Sequence, residues 1–199
     1  MKCHALAFSF ALALIALPAT ATTVGQTAPD FTGTDLQGKA VRLADFRGKF
    51  VVLEWTNPEC PYVRRHYNSG NMPSLQKEVA AKDVVWLAIN STSQASGEFK
   101  TPVEMSQWLA DKGAAPSATV LDPDGKIGRL YQARTTPHMY VIDPQGRLVY
   151  AGAIDDKRWA STEETKAARN YVRTALGEAM AGKPVSVAAT SPYGCSVKY

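Results

Sequence analysis

Apolar and polar positions along the chain alternate in short blocks that predict strands and helices in turn. Phe50 to Trp55 (FVVLEW) is an apolar run broken only by Glu54, the pattern of a strand buried on both faces of a parallel sheet. Val84 to Ile89 is a second such run and Ala118 to Leu121 a shorter one. Ahead of them, residues 30–48 read as two short strands around the Gln37-Gly38 turn, followed by a loop. A helix is expected from Pro61, where the missing proline N–H would be unpaired anyway; it breaks across Asn68-Ser69-Gly70-Asn71 and resumes to about Lys82. Thr101-Pro102-Val103-Glu104 is a capping box, which starts a helix that runs to Lys112 and stops at Gly113. Beyond the Asp122–Gly125 turn a short helix reaches about Tyr131. Met139 to Ile142 and Arg147 to Ala151 form a hairpin around Asp143-Pro144-Gln145-Gly146. Ser161 and Glu164 cap a last helix ending near Gly182, and residues 183–199 (KPVSVAATSPYGCSVKY) are an irregular tail.

The first 21 residues stand outside this pattern. Lys2 is a positive start, Leu6 to Leu17 a short apolar core, and Ala19-Thr20-Ala21 a small-residue cleavage site. These are the marks of a secretory signal peptide, too short for a membrane span. The expected division is a signal at 1–21, one domain at 22–182 and a tail at 183–199 that carries Cys195. Cleavage leaves 21 basic against 18 acidic residues, a formal charge of +3. The basic residues are scattered, with Arg64-Arg65 the notable pair, so neither a nucleic-acid stripe nor a stable membrane insertion is expected. The mature protein should be soluble and periplasmic, a monomer or weak dimer.

Cysteine usage narrows the chemistry. Cys3 leaves with the signal, and Cys60 and Cys195 remain in a compartment where disulfides persist. Cys60 follows a buried strand and opens a helix, where backbone N–H groups and the helix dipole favour a thiolate, the nucleophilic form. The polar Asn57-Pro58-Glu59 should leave its sulfur near solvent. Val63 fills the place where a C-x-x-C motif would put a second thiol. The tail from Lys183 to Cys195 can extend about 40 Å, enough to climb back past a last helix of roughly 30 Å to Cys60. Pairing with a second subunit stays open. His66, six residues down the helix from Cys60, should face elsewhere, and His138 is either a solvated loop residue or a neighbour of Cys60. Two histidines and two distant cysteines lack metal-site spacing, and no cofactor is implied.

Asp30-Phe31, Gly38-Lys39, the loop from Asp45 to Lys49, the strand-to-cysteine turn and Thr136-Pro137 ahead of Val141-Ile142-Asp143 resemble the redoxin branch of thioredoxin-like proteins. That branch includes the alkyl hydroperoxide reductase/thiol-specific antioxidant family and periplasmic thioredoxin-like reductases. The resemblance covers about residues 24–182. It implies an α/β thioredoxin fold: a central mixed sheet flanked by helices, with an N-terminal β-hairpin and an extended C-terminal tail. It implies that Glu54 is the buried acid that moves protons for the second thiol, and that Pro137 is the cis-proline facing the nucleophile. Trp55 reads as part of the site's wall.

The same resemblance bears on the reaction. Thiol peroxidases of the family use P-x-x-x-T-x-x-C and an arginine ahead of a later strand. Here Leu53 and Asn57 take the first two places, a threonine is displaced to Thr56, and Arg134 is out of register. The first expectation is therefore a thiol-disulfide oxidoreductase acting on protein thiols or disulfides, with Cys60 as nucleophile and Cys195 as resolving thiol in a Cys60–Cys195 disulfide. A thiol peroxidase acting on peroxides is the second. A secreted domain stapled by that disulfide, worth about 5 kcal/mol of loop entropy, is the third.

Overall fold

The computed structural model describes residues 22–199, so the segment read as a signal peptide lies outside the described residues. Seven strands form one sheet in the order β2-β1-β5-β4-β3-β7-β8. β1 (Thr32–Asp35) and β2 (Ala40–Arg42) are the N-terminal hairpin, and β1 joins β5 (Ala118–Leu121) antiparallel. β3 (Val51–Trp55) lies between β4 (Val85–Asn90), to which it is parallel, and β7 (His138–Ile142), to which it is antiparallel. β8 (Leu148–Gly152) closes the far edge. This is the mixed sheet of a thioredoxin fold.

The apolar run of β3 is continuous because both faces of the strand are covered. Val52 belongs to a buried cluster with Val63 and Tyr67 of α1 (Pro61–Asn68), Met72 and Leu75 of α2 (Asn71–Ala80), and Val172 of α6 (Tyr171–Met180). Leu53 and Trp55 face the other way, toward Phe31, Ile127, Tyr131 and Tyr140. Alternation puts Glu54 on the same face as Val52, beneath α1 and α2. The break between those helices falls at Gly70, whose left-handed φ of 77° only glycine adopts without strain. The capping box at Thr101 and Glu104 starts α3 (Pro102–Asp111), and α4 (Lys126–Leu130) follows the Asp122–Gly125 turn.

The last helix is two helices rather than one. Ser161 caps α5 (Thr162–Lys166) as expected, but that helix ends after a single turn. Asn170 then pairs with Asp155 and accepts the Arg173 N–H as the cap of α6, while Tyr171 N–H donates to Ile154. The chain leaves the helix to make those bonds, and a second polar cap restarts it. Two very short strands also lack any periodic signal: β6 (Thr135–Thr136) and β9 (Cys195–Ser196), which pair antiparallel.

Among the described residues no helix is long and apolar enough to cross a membrane. The tail runs first along the sheet edge, where Ala151 N–H donates to Ala188 O and Thr190 N–H to Ala151 O. It then turns across the end of the sheet into β9.

Candidate active site

Cys60 occupies the N-cap of α1, with Pro61 in the first helical turn. Its sulfur lies 2.9 Å from Thr136 O and 2.8 Å from Cys195 Sγ, and both cysteines are free thiols. One thiol hydrogen serves only one of these contacts at a time. The expectation of a solvent-facing sulfur is not met: Cys60 is 1% exposed. The polar loop before it is not what decides this, because the tail strand β9 and the Thr136 carbonyl cover the sulfur from above. Cys195 is half-buried, and its thiol is pushed well up from the ordinary range, first by burial and then by Cys60 beside it.

The Thr136–Pro137 peptide is cis and sits at the start of β7, with Thr136 paired to Cys195. The adjoining His138 is neither solvated nor in a loop. It is 6% exposed within β7, and its Nδ1 accepts from Arg134 N–H and lies 3.2 Å from the Tyr140 hydroxyl. Burial, helped by the Arg134 charge, lowers its pKa to about 3, so it stays neutral. Trp55 pairs with His138 across the strands, donates to Ser91 Oγ and packs on Tyr131 and Tyr140. His66 is buried on the opposite side, against Tyr193 and Asn71.

Glu54 is fully buried under three donors. Its carboxylate accepts from Tyr67 Oη at 2.8 Å, Trp86 Nε1 at 2.8 Å and Gln76 Nε2 at 3.2 Å. Burial raises its pKa to about 7 against the opposing pull of the Trp86 and Tyr67 hydrogen bonds. Among the described residues no hydrogen bond joins it to either sulfur. Val63, fully buried, stands where a C-x-x-C second thiol would be.

This carboxyl carries a prediction for stability. The folded protein holds its proton more tightly than the unfolded chain, whose value is near 4.5. Its contribution is therefore fully present below about pH 4.5 and lost as pH rises through about 7. Across that window the wild type should lose about 3 kcal/mol relative to Glu54→Gln, a variant that mimics the protonated form. Using the difference cancels His66 and His138, whose depressed pKa values act with the opposite sign. Denaturant melts at about pH 5 and pH 8 check it, and parallel curves would make Glu54 silent.

Sequence reasoning missed the Thr136 carbonyl, because no side chain marks it, and it missed Asp155. Tyr193 is expected to pack on the domain, and it does, but its partners were not foreseen: its hydroxyl donates to buried Asp155, and Arg65 and His66 lie against it. A buried aspartate and a tyrosine two residues before the tail cysteine were visible signals, but their contact spans 38 residues.

Among the described residues no group of three histidine, cysteine or acidic side chains could hold a metal ion. The AhpC/TSA family profile matches residues 24–151, most of the sheet and the Cys60 helix. The chain belongs to the AhpC/TSA family. It is 34% identical over 136 residues to the thiol-disulfide oxidoreductase ResA of Geobacillus thermodenitrificans, covering 65% of this chain and 68% of that one. An uncharacterized conserved protein from Geobacillus kaustophilus superposes with a TM-score of 0.77 at 26% identity, covering 89% and 93% of the two chains. The thioredoxin domain of a thiol-disulfide oxidoreductase from Bacteroides vulgatus shares the fold, with a TM-score of 0.52 at 22% identity over 65% of this chain and 87% of that one. Family and relatives place the chain among the thioredoxin-like oxidoreductases.

Proposed function

We propose that the protein is a periplasmic thiol-disulfide oxidoreductase in which Cys60 is the nucleophile and Cys195 the resolving thiol. The observation that carries this reading is the 2.8 Å approach of two sulfurs separated by 135 positions in the sequence. The Cys60 thiolate attacks a disulfide R–S–S–R′, forms Cys60–S–S–R and expels R′–S⁻, which takes up a proton. Cys195 loses its proton and attacks the Cys60 sulfur, closing Cys60–S–S–Cys195 and expelling R–S⁻. Two electrons pass from the cysteine pair to the substrate, and the reverse steps oxidise a dithiol. The raised pKa of Cys195 makes loss of its proton the step that needs help. We assign Glu54, poised near neutral pH, as the group that takes up this proton; among the described residues no hydrogen bond joins it to either sulfur, so the transfer is not direct.

Pro137 holds the Thr136 carbonyl beside the Cys60 sulfur, on an edge that β9 pairs here and that a substrate main chain would take over when the tail gives way. Protein thiols and disulfides are the substrates that the name of the Geobacillus relative suggests. The secretory signal read at residues 1–21 supports a periplasmic location.

Family membership favours a thiol peroxidase as the second reading. Its pocket chemistry is displaced here. Asn57 is engaged with Glu98 and with the Glu59 N–H, Thr56 Oγ1 is buried without a hydrogen-bond partner, and Arg134 uses its backbone to hold His138 and Val197.

The test mixes reduced protein with one equivalent of a protein disulfide or of hydrogen peroxide and follows intact mass after acid quench. Loss of two hydrogens from the protein, fast with the disulfide and slow with peroxide, is the expected result. Faster oxidation by peroxide would install the peroxidase instead. A mixed disulfide that persists between Cys60 and the substrate, with Cys195 still a free thiol, would remove Cys195 from the mechanism.

A further inference from the structure

We propose that Tyr193 is the positioning residue that sets Cys195 against Cys60, its phenol docking the tail in a buried socket made by Arg65, His66 and Asp155. The inference rests on the exchange reading above and adds the group that governs its resolving step.

Tyr193 is buried although it lies in an otherwise half-exposed tail, two residues before Cys195. Its hydroxyl donates to Asp155 Oδ1 and lies 3.1 Å from His66 Nε2 and 3.2 Å from Arg65 Nη2. Its ring packs 5.8 Å from that of Tyr62, with the Arg65 guanidinium 5.7 Å from its centre. One side chain thus contacts three residues of α1 (Tyr62, Arg65 and His66), the helix that Cys60 caps, and the loop after β8.

The socket is built independently of the tail. Arg65 donates to the carbonyls of Lys157, Arg158 and Ala160, and Asp155 Oδ1 accepts from Lys157 N–H. Asn71 donates to His66 Nδ1, which leaves the ring proton on Nε2, facing the Tyr193 oxygen. Burial, then the Arg65 charge, depresses the His66 pKa to about 3, so its 3.9 Å approach to Asp155 is not an ion pair. Burial raises the Asp155 pKa, the Tyr193 hydrogen bond pulls it down, and its Oδ2 has no hydrogen-bond partner. Removing the phenol hydroxyl takes away the side-chain donor at its other oxygen, a costly loss in a dry site.

Past this anchor the chain has one residue, Gly194, before the sulfur. Further bonds lie beyond it: Val197 N–H to Arg134 O, Ser93 N–H to Lys198 O and Tyr199 Oη to Ala133 O. Those hold the end of the tail, while Tyr193 fixes its approach. Docking of the reduced tail also covers Cys60, so access to Cys60 reports how firmly the tail is seated.

The test uses Tyr193→Phe, which keeps the ring in its packing and removes only the hydroxyl. In a Cys3→Ser, Cys195→Ser background, where only Cys60 can be labelled, iodoacetamide should alkylate Cys60 about tenfold faster in Tyr193→Phe, the size expected for a hydrogen bond to a charged group. With Cys195 present, closure of the Cys60–Cys195 disulfide from a Cys60–glutathione mixed disulfide should slow by a similar factor. Asp155→Asn should shift both rates in the same direction. A tyrosine that served only overall stability would lower the melting midpoint and leave both rates alone, and unchanged rates in Tyr193→Phe overturn the inference. Failure of the wild-type mixed disulfide to close would overturn the exchange reading itself, while the alkylation rates would still decide the docking role.

Discussion

Replacing Cys195 by serine is expected to leave a protein that opens one disulfide and then stops. The fold should survive, because Cys195 lies in a two-residue strand outside the two core clusters of the sheet, touching one of them only from the rim. Cys60 keeps its helix N-terminus and its attack on a disulfide, and the product accumulates as a mixed disulfide. In the wild type the resolving sulfur waits 2.8 Å away, so closure is intramolecular and pre-oriented. In the variant a millimolar external thiol must do the same work, and resolution should slow about a thousandfold or more. Gel-shift or mass analysis of the trapped intermediate with a cysteine-containing substrate checks both halves. Full turnover by Cys195→Ser would place the second thiol on another molecule.

The parts of this protein legible in its sequence are those with a local signal. β3 and β4 are buried on both faces, and that burial writes apolar runs into residues 51–55 and 84–89, broken only by Glu54. Glu54 stood out because a lone acid in such a run has to be accommodated, and the cost of accommodating it is what brings its pKa to about 7. Cys60 was marked by a strand running directly into a proline-led helix. Burial of that cysteine was not legible: the length of the tail shows that it can reach Cys60, but the cover itself is made by segments 76 and 135 positions away. The same distance hid the socket, where His66 had been read by its angle from Cys60 and not by the tyrosine that comes to meet it. The split of the last helix turned on Asn170, which looks unremarkable inside a helical stretch until Asp155 is known to pair with it. β6 and β9, at two residues each, are too short for any period to show.

Gly194→Ala tests the tail from the other side of the docking residue, without touching the socket. Gly194 has φ of 143°, a conformation costly for any residue with a side chain. A Cβ there would overlap the Thr136 carbonyl oxygen and lie 2.7 Å from its carbon and 3.2 Å from Pro137 N. The obstacle is backbone belonging to the cis-proline turn, which cannot swing aside as a flexible side chain could. Strain of about 1–3 kcal/mol before any overlap already amounts to about five- to 160-fold against the docked tail, and the overlap adds to it. Reduced Gly194→Ala should therefore expose Cys60 to iodoacetamide at least tenfold faster than wild type and close the Cys60–Cys195 disulfide correspondingly more slowly. Its thermal midpoint should move little, because the strained contact is confined to β6 and the tail. Gly177→Ala is the matched control, since Gly177 lies in α6 with open space where its Cβ would go. That substitution should leave the labelling rate unchanged and add a fraction of a kcal/mol to about 1 kcal/mol of helix stability. Equal labelling of Cys60 in both variants would mean that the close passage of Gly194 over Thr136 is not what brings Cys195 to its partner.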